Sequence, residues 1–161
     1  MTTPGNINDA AINAIFDAVV SLALQSGRFD SVNQHEPKSA PGTGITCSIW
    51  MQQIRPVPRA SGLAATTGLL ILYERLYTSF LSQPYDMIDP AVTSATVDLI
   101  GRMSADFDFG EIASVRNVDL LGQTGHSLSA QAGYVEIDRR MYRIMTITIP
   151  IIVNDMFAQG D

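Results

Sequence analysis

The sequence predicts an α+β fold: a mostly antiparallel β-sheet that has a long C-terminal hairpin strand and carries two helices packed on one face. Three observations predict it. Residues 134–155 form a hairpin pattern in which apolar side chains alternate with a period of two and β-branched residues are frequent. Residues 45–52 repeat this alternation. Two other segments carry apolar residues at helical spacing, and each such stripe must be buried against another element.

The hairpin is predicted to contain a short strand at 134–137, a turn at Asp138, Arg139 and Arg140, and a long strand at 141–153. Thirteen extended residues span about 44 Å. A compact domain of this length has a diameter of about 40 Å, so the strand either bends or projects. Pro150 has no N–H to donate to a ladder, which predicts that this end of the strand lies at a sheet edge or past the sheet. An uncovered edge is a surface for pairing, so we expect a protein that assembles.

The first predicted helix begins at Asn8 or Asp9, which can cap it, and ends at Gly27. Its apolar face consists of Ile12, Ile15, Phe16, Val19, and Ala23 or Leu22. The second begins at Asp89, which precedes a proline at the first helical position. Its face consists of Val92, Ala95, Thr96, Leu99, Ile100 and Met103, with Asp98 and Arg102 paired on the outside. We expect both helices to cover the same sheet face.

Four further strands are predicted. A short one starts the polar segment 28–44, around Phe29 and Val32, and the next covers 45–52. The prolines at 56 and 58 exclude regular structure over 55–59, and 60–68 is predicted as a loop. Residues 69–81 also fit a helical period, but Gly68 and Pro84 bracket a strand-length piece and we predict a strand. Residues 113–121 are predicted as another strand, which a small, polar segment links to the hairpin.

Charge and cysteine content exclude several functions. The formal net charge of −6 argues against a surface that binds phosphate backbones. Cys47 is the only cysteine, which excludes a disulfide framework or a cysteine-rich metal site, and its strand position predicts a small buried hydrophobe. No apolar stretch is long enough to span a membrane, and the N-terminus does not resemble a signal peptide, so we expect intracellular synthesis. The length of 161 residues predicts a single domain over 1–161.

The sequence offers few candidates for chemistry, and we expect no catalytic residue, no cofactor and no metal. His35 beside Glu36 has no second histidine nearby and is interpreted as a solvated loop residue. The carboxylates at 106, 108 and 111 lack the remaining ligands and the turn glycine of a calcium loop, so a solvated acidic turn is favoured. His126 has no serine–acid arrangement around it. The glycines at 42 and 44 indicate a turn, since no lysine or helix of a nucleotide-binding loop follows.

Contacts between chains are the better candidate for function. The polar loop 34–44, the segment 55–62 and the turn at 138–140 are expected to project from the sheet and to contribute little to the core. Arginine is a forked donor that can hold a carboxylate of an acidic neighbour, although a solvated position is an equally good interpretation of any single arginine. The candidate interface residues are Arg55, Arg59, Asp138, Arg139, Arg140, Glu36 and Lys38.

The C-terminal half resembles the tail terminator proteins of long-tailed (siphovirus-type) bacteriophages, especially those of actinobacterial hosts. The resemblance lies in VDLLG (118–122), LSAQAGY (128–134), YRIM (142–145) and IIVND (151–155), with SQPYD (82–86) upstream. It covers roughly residue 69 to the end, and the earlier residues agree only in the order of elements. The motifs are structural, not catalytic.

This resemblance implies a mostly antiparallel sheet with two helices and a homo-hexameric ring in the virion. Such a ring caps the head-proximal end of the tail tube, stops tube polymerisation and presents a surface to the head connector. Its partners would be further copies of itself, the major tail tube protein and a connector or stopper protein. A lumen that shares the acidic charge of the chain would let DNA pass without specific binding.

Three alternatives stay open. Another head–tail joining protein, such as a stopper or tail completion protein, has a similar size. A small cytoplasmic α+β enzyme is the second alternative, although the sequence shows no acid–base–nucleophile cluster to support it. A free-standing cytoplasmic binding module would be a monomer or small oligomer that never joins a tube.

Overall fold

A computed structural model describes residues 9–57, 65–110 and 112–158, and within them six strands form one sheet with two α-helices against it. The elements are α1 (Asp9–Ser26), β1 (Ser31–Asn33), β2 (Ile45–Pro56), β3 (Ala65–Ser79), a 3₁₀ turn (Tyr85–Met87), α2 (Ile88–Ala105), β4 (Val115–Val118), β5 (Ser129–Ile137) and β6 (Arg140–Ala158). The strand order is β1-β2-β3-β6, with β4 and β5 both on the far side of β6. Only the β1–β2 pair is parallel among these strands. The predicted fold class is confirmed.

The two helices cover the same face of the sheet, which we call the helix-bearing face. Both apolar stripes belong to one buried cluster, to which α1 contributes Ile15 and Val19 and α2 contributes Leu99. The sheet contributes alternate residues to this cluster, namely Cys47, Ile49, Leu70, Leu72, Leu76, Ile147, Ile149, Ile151 and Val153. Since successive side chains of a strand point to opposite faces, this alternation sets which residues face the helices.

The opposite face, which we call the open face, carries two smaller apolar clusters. Leu69, Ile71 and Ile152 form one with Val57 at its margin. Tyr77, Tyr142 and Ile144 form the other at the opposite end of the sheet. No described helix belongs to either cluster.

The predicted edge position of Pro150 is wrong, because β6 is the centre of the sheet. It pairs with β3 along nearly its whole length and with β5 and then β4 on the other side. The Pro150 carbonyl accepts a hydrogen bond from the Asp119 N–H at 2.8 Å on the β4–β5 side. The N and C=O of one strand residue point to the same side, so the missing N–H faces that side too.

On that side β4 and β5 form one interrupted edge. Val118 of β4 lies opposite Ile151, and Ser129 of β5 lies opposite Thr148. The intervening residues, 119–128, leave the sheet opposite Pro150, where no N–H needs a ladder partner. We call them the excursion loop. A proline is therefore accommodated in a central strand because the neighbouring strand leaves at the same place.

Several predicted boundaries are wrong. β2 continues through Arg55 to Pro56, since the chain stays paired with β3 and a proline is tolerated at the strand end. β3 begins at residue 65, inside the predicted loop 60–68. Residues 58–64 lie outside the described residues. The strand predicted at 113–121 is only Val115–Val118, because Asp119 starts the excursion loop. β5 is longer than predicted, since the small residues from Ser129 onward pair with β6.

Asp89 does not cap α2. The helix begins one residue earlier, and its N-cap residue, Met87, makes no side-chain capping bond. The Asp89 carboxylate instead accepts from Nε of Arg143 on β6 at 2.9 Å. The helix start is thus fixed to the sheet by an ion pair, which a local sequence pattern does not reveal. The predicted Asp98–Arg102 pair is confirmed at 2.9 Å, and Arg28 also binds Asp98.

Ile147→Ala tests this core. Ile147 is fully buried on the helix-bearing face, so truncation should lower the unfolding free energy by about 2–5 kcal/mol, as measured by chemical denaturation. Val97→Ala is the control, since Val97 is an exposed residue of α2 and its truncation should cost less than about 1 kcal/mol. Equal losses in the two variants would contradict the burial of Ile147 in the core.

Candidate interaction surfaces

The hairpin turn is tighter than predicted and consists of Asp138 and Arg139. Both residues have positive φ, 51° and 65°, as a two-residue type I′ turn requires. The Asp138 carboxylate accepts a hydrogen bond from the Ala40 N–H at 2.8 Å. The Tyr142 hydroxyl donates to the Pro41 carbonyl, also at 2.8 Å. Part of the loop 34–44 is therefore bound to the hairpin.

The prediction that this loop contributes little to the core is consequently wrong for Ala40. Ala40 packs against the cluster of Tyr77, Tyr142 and Ile144 on the open face. A proline or small residue can lie flat on aromatic rings without loss of side-chain entropy, which explains why this polar loop adheres here. The loop and the turn form one surface.

The remaining candidate interface residues occupy three kinds of position. Glu36, Lys38, Arg139 and Arg140 are exposed. Arg55 is half-buried and donates from its guanidinium to the Thr124 carbonyl of the excursion loop. Its guanidinium is thus engaged within the chain. Arg59 lies outside the described residues.

Asp119 organises the excursion loop. Its carboxylate accepts from the N–H groups of Gly122, Gln123 and Thr124 at 2.8–3.0 Å, and from the Thr124 hydroxyl. Burial alone would raise the pKa of Asp119, but these hydrogen bonds outweigh it and hold the pKa below its usual value. The result is a fixed loop that presents Leu121, which is 87% exposed.

A groove lies on the helix-bearing face beyond the start of α2. We call it the aromatic groove; it has a volume of about 510 Å³ and is lined by Phe80, Leu81, Tyr85, Ile88, Asp89, Tyr134 and Arg143. The rings of Phe80 and Tyr134 meet edge to face with centroids 5.9 Å apart. The Arg143 guanidinium lies 4.5 Å from the Tyr134 centroid. Because Asp89 also holds Arg143, the groove wall is preorganised.

The sequence patterns did not predict this groove. A signal was present, since Phe80 and Leu81 are large apolar residues at the end of a predicted strand, immediately before a polar turn. Tyrosine, phenylalanine and arginine are enriched at the centres of protein interfaces. Contiguous exposed apolar residues of this kind mark interaction sites.

The sheet has two open strand edges. Among the described strands, β5 pairs only with β6, which leaves its outer side free over nine residues. β1 covers only Thr46, Cys47 and Ser48 of β2, so residues 49–56 have no described strand on that side. The two edges lie at opposite ends of the strand order, which gives each chain two different surfaces for pairing.

Glu74 is buried in the core, and the sequence patterns did not predict its burial. It lies on β3 between Ile49 and Ile147, at the same alternation as Leu72 and Leu76. The alternation of 70, 72, 74 and 76 is the signal that would have found it. The carboxyl contacts the Cys47 thiol at 3.6 Å.

Burial raises the pKa of Glu74 to about 8, an effect that the hydrogen bond from Cys47 only partly offsets. Burial likewise raises the pKa of the Cys47 thiol far above its usual range. Cys47 is buried as predicted, and a buried protonated thiol is a poor nucleophile. Neither group reaches solvent, so we assign no chemistry to the pair.

The acidic turn after α2 has a local structural role. Asp106 accepts from the Gly110 N–H at 2.7 Å, and residue 111 lies outside the described residues. His35 is exposed, with Nδ1 3.0 Å from its neighbour's carbonyl. Within the ranges that the structure describes, no three His, Cys, Asp or Glu side chains are grouped as metal ligands. In the same ranges no helix has the length and apolar character needed to cross a membrane.

No protein-family model and no curated protein sequence matches the chain. Solved structures are similar to it, two of which follow. One belongs to the virion of a native gene transfer agent particle, with a TM-score of 0.49 and 13% identity over 91% of this chain and 99% of that one. The other is the sheath/tube terminator of an extracellular contractile injection system in its extended state. Its TM-score is 0.41, with 12% identity over 97% of this chain and 60% of that one.

Glu74→Gln tests the buried carboxyl through pH. The folded-state pKa lies above the ordinary value of 4.5, so between about pH 4.5 and 8 the unfolded chain has released a proton that the folded chain keeps. Stability therefore falls as pH rises through this window. The unfolding free energy of the variant, minus that of the wild type, should increase by about 3–4 kcal/mol from pH 5 to pH 8 in urea titrations.

Proposed function

We propose that this chain is a structural protein of a phage-type virion, a tail terminator that forms a ring at the head-proximal end of the tail tube. One observation carries the proposal. Four of the five sequence pieces that resemble tail terminators reach the β5 side of the fold, and the fifth, IIVND, lies in the central strand β6. LSAQAGY begins the open strand β5, YRIM supplies Arg143 of the aromatic groove, and SQPYD supplies Tyr85 of the same groove. VDLLG begins the excursion loop, whose shape Asp119 sets.

This placement favours assembly over a role confined to folding. The pieces supply core residues such as Val118, Tyr142 and Ile151. They also hold Tyr85, Leu121 and Tyr134 in exposed positions, which a role confined to the core would not require. Exposed apolar and aromatic side chains beside an unpaired strand are suited to contact with another chain.

The two open edges are compatible with a ring. A ring needs a heterologous interface, in which one surface of each copy meets a different surface of the next. Here β2 provides one edge and β5 the other, at opposite ends of the strand order. We propose a homo-hexamer on the resemblance alone, since the strand order does not determine the number of copies.

The proposed partners are further copies of the chain, the major tail tube protein and a head connector or stopper protein. The exposed Arg139 and Arg140 at the hairpin turn, with Glu36 and Lys38 on the adjacent loop, are proposed contacts to such a partner. With −6 on each copy, a lumen of the same sign would repel DNA and allow it to pass. The proposed location is the tail or neck of the virion.

Native mass spectrometry and a gene-deletion phenotype test this function. The purified protein should form a closed oligomer with six times the mass of the 17.4 kDa chain. Particles that lack it should carry tails of abnormal length, because tube growth is not stopped. Tails of normal length that fail to join heads would instead indicate a stopper or completion protein, and a monomer with no particle defect would contradict the proposal.

Arg139→Glu with Arg140→Glu tests the turn surface. Both side chains are exposed, so the melting temperature should stay within a few degrees of the wild type. The same change should impair ring closure or tube docking, scored by electron microscopy as abnormal tails or tailless heads. Arg139→Lys with Arg140→Lys keeps the charge and should be milder. Normal virions from the double glutamate variant would remove this turn from the interface.

A further inference from the structure

Exposed apolar side chains are present at both open edges. On β2, Met51 is 47% and Ile54 is 45% exposed. At the β5 side, Leu81 is 70% and Tyr134 is 58% exposed, and both line the aromatic groove. Each edge thus combines unpaired backbone groups with apolar side chains, which is a costly combination for an isolated chain in water.

A β-bulge brings Met51 and Ile54 to the same face. Residues three apart in a regular strand point to opposite faces. In β2 the register shifts between Met51 and Gln53, so Met51 lies opposite Leu72 and Ile54 lies opposite Leu70. Both partners belong to the helix-bearing face. Bulges near sheet edges commonly redirect side chains in this way.

The aromatic groove opens on that same face. Tyr134 lies opposite Arg143, and Arg143 shares the alternation of Ile147 and Ile149, which face the helices. The two apolar edges therefore present their side chains to the same side of the sheet.

Strand direction makes the two edges compatible. Each step from β2 to β3, from β3 to β6 and from β6 to β5 is antiparallel, so β2 and β5 run in opposite directions. A second copy in the same orientation brings its β2 antiparallel to β5. Within one sheet Tyr134 is level with Ile45, so the second copy is displaced along the strands to place residues 49–56 beside Tyr134. Its helix-bearing face then continues that of the first copy. The open stretch of β2, residues 49–56, is about as long as the nine-residue β5.

We propose that the aromatic groove receives Met51 and Ile54 of a second copy, whose open β2 stretch pairs antiparallel with β5. This inference rests on the self-assembly in the proposed function and assigns it a specific interface. Main-chain hydrogen bonds supply affinity, and the groove supplies specificity by accepting alternate side chains. A methionine thioether is suited to a groove walled by Phe80, Tyr85 and Tyr134, because sulfur–aromatic contacts are favourable.

Cross-linking between two single-cysteine proteins tests this interface. In a Cys47→Ala background, Met51→Cys and Tyr134→Cys proteins are mixed with a short bismaleimide. The mixture should give a product that joins one protein of each kind, with little product from either protein alone. Gln131→Cys is the matched control, because Gln131 lies on β5 opposite Thr146 and points to the open face, so it should cross-link much less.

Each outcome has one meaning. Equal yields from Tyr134→Cys and Gln131→Cys, or products formed by either protein alone, would overturn the proposed pairing. If native mass spectrometry shows an oligomer but the mixed product is missing, this interface is wrong while self-assembly stands. If the chain is monomeric at every concentration, both the interface and the proposed ring fail.

A second measurement does not depend on cysteine chemistry. Met51→Glu should weaken self-association by about tenfold or more in sedimentation analysis, while the melting temperature stays near that of the wild type. Val97→Glu places the same charge at an exposed valine of α2, away from both edges, and should leave association unchanged. Unaltered association of the Met51→Glu protein would overturn the inference.

Discussion

Backbone pairing along both sides of β6 is the constraint on which the remaining structure depends. A strand that is enclosed between neighbours must satisfy its N–H and C=O groups within the sheet, and β6 does so with β3 on one side and β5 and β4 on the other. Pro150 is the position where this pairing fails on the β4–β5 side. The excursion loop leaves the sheet there, and Asp119, whose N–H binds the Pro150 carbonyl, also fixes the shape of the loop through its carboxylate. Pro150 thus marks the position at which the excursion loop leaves the sheet.

The core contains a buried carboxyl, that of Glu74, whose burial costs free energy. Glu74 occupies a position among leucines and isoleucines where a carboxyl must stay protonated or be charged without an ionic partner among the described residues. A leucine at this position would fit the alternation of β3 and avoid that cost. Because burial raises the pKa of this carboxyl, we expect it to lower the stability of the fold as the pH rises.

Among the described strands, β2 and β5 each have an outer side without a strand partner, and these sides lie on opposite sides of the sheet. A sheet with one open edge favours a symmetric dimer, whereas two different edges favour a chain of copies that either closes or continues. Ring contacts and the Asp89–Arg143 ion pair fix the shape of the aromatic groove, which is the preorganisation that the proposed interface requires. The hairpin turn lies at the end of β5 and β6, outside the stretch that is proposed to pair.

The sequence by itself determined the elements whose signals are local and periodic. The alternation along 141–153 predicted which face of β6 packs against the helices, and the stripes of α1 and α2 predicted their buried residues, because periods of two and 3.6 follow from backbone geometry alone. It could also predict that Cys47 is buried. Only the tertiary structure decided that β6 is central, since the neighbours of a strand are set by segments far away in the chain. Asp89 became an ion-pair partner instead of a cap for the same reason. The aromatic groove likewise combines residues from β3, α2, β5 and β6, which come together only when the sheet forms.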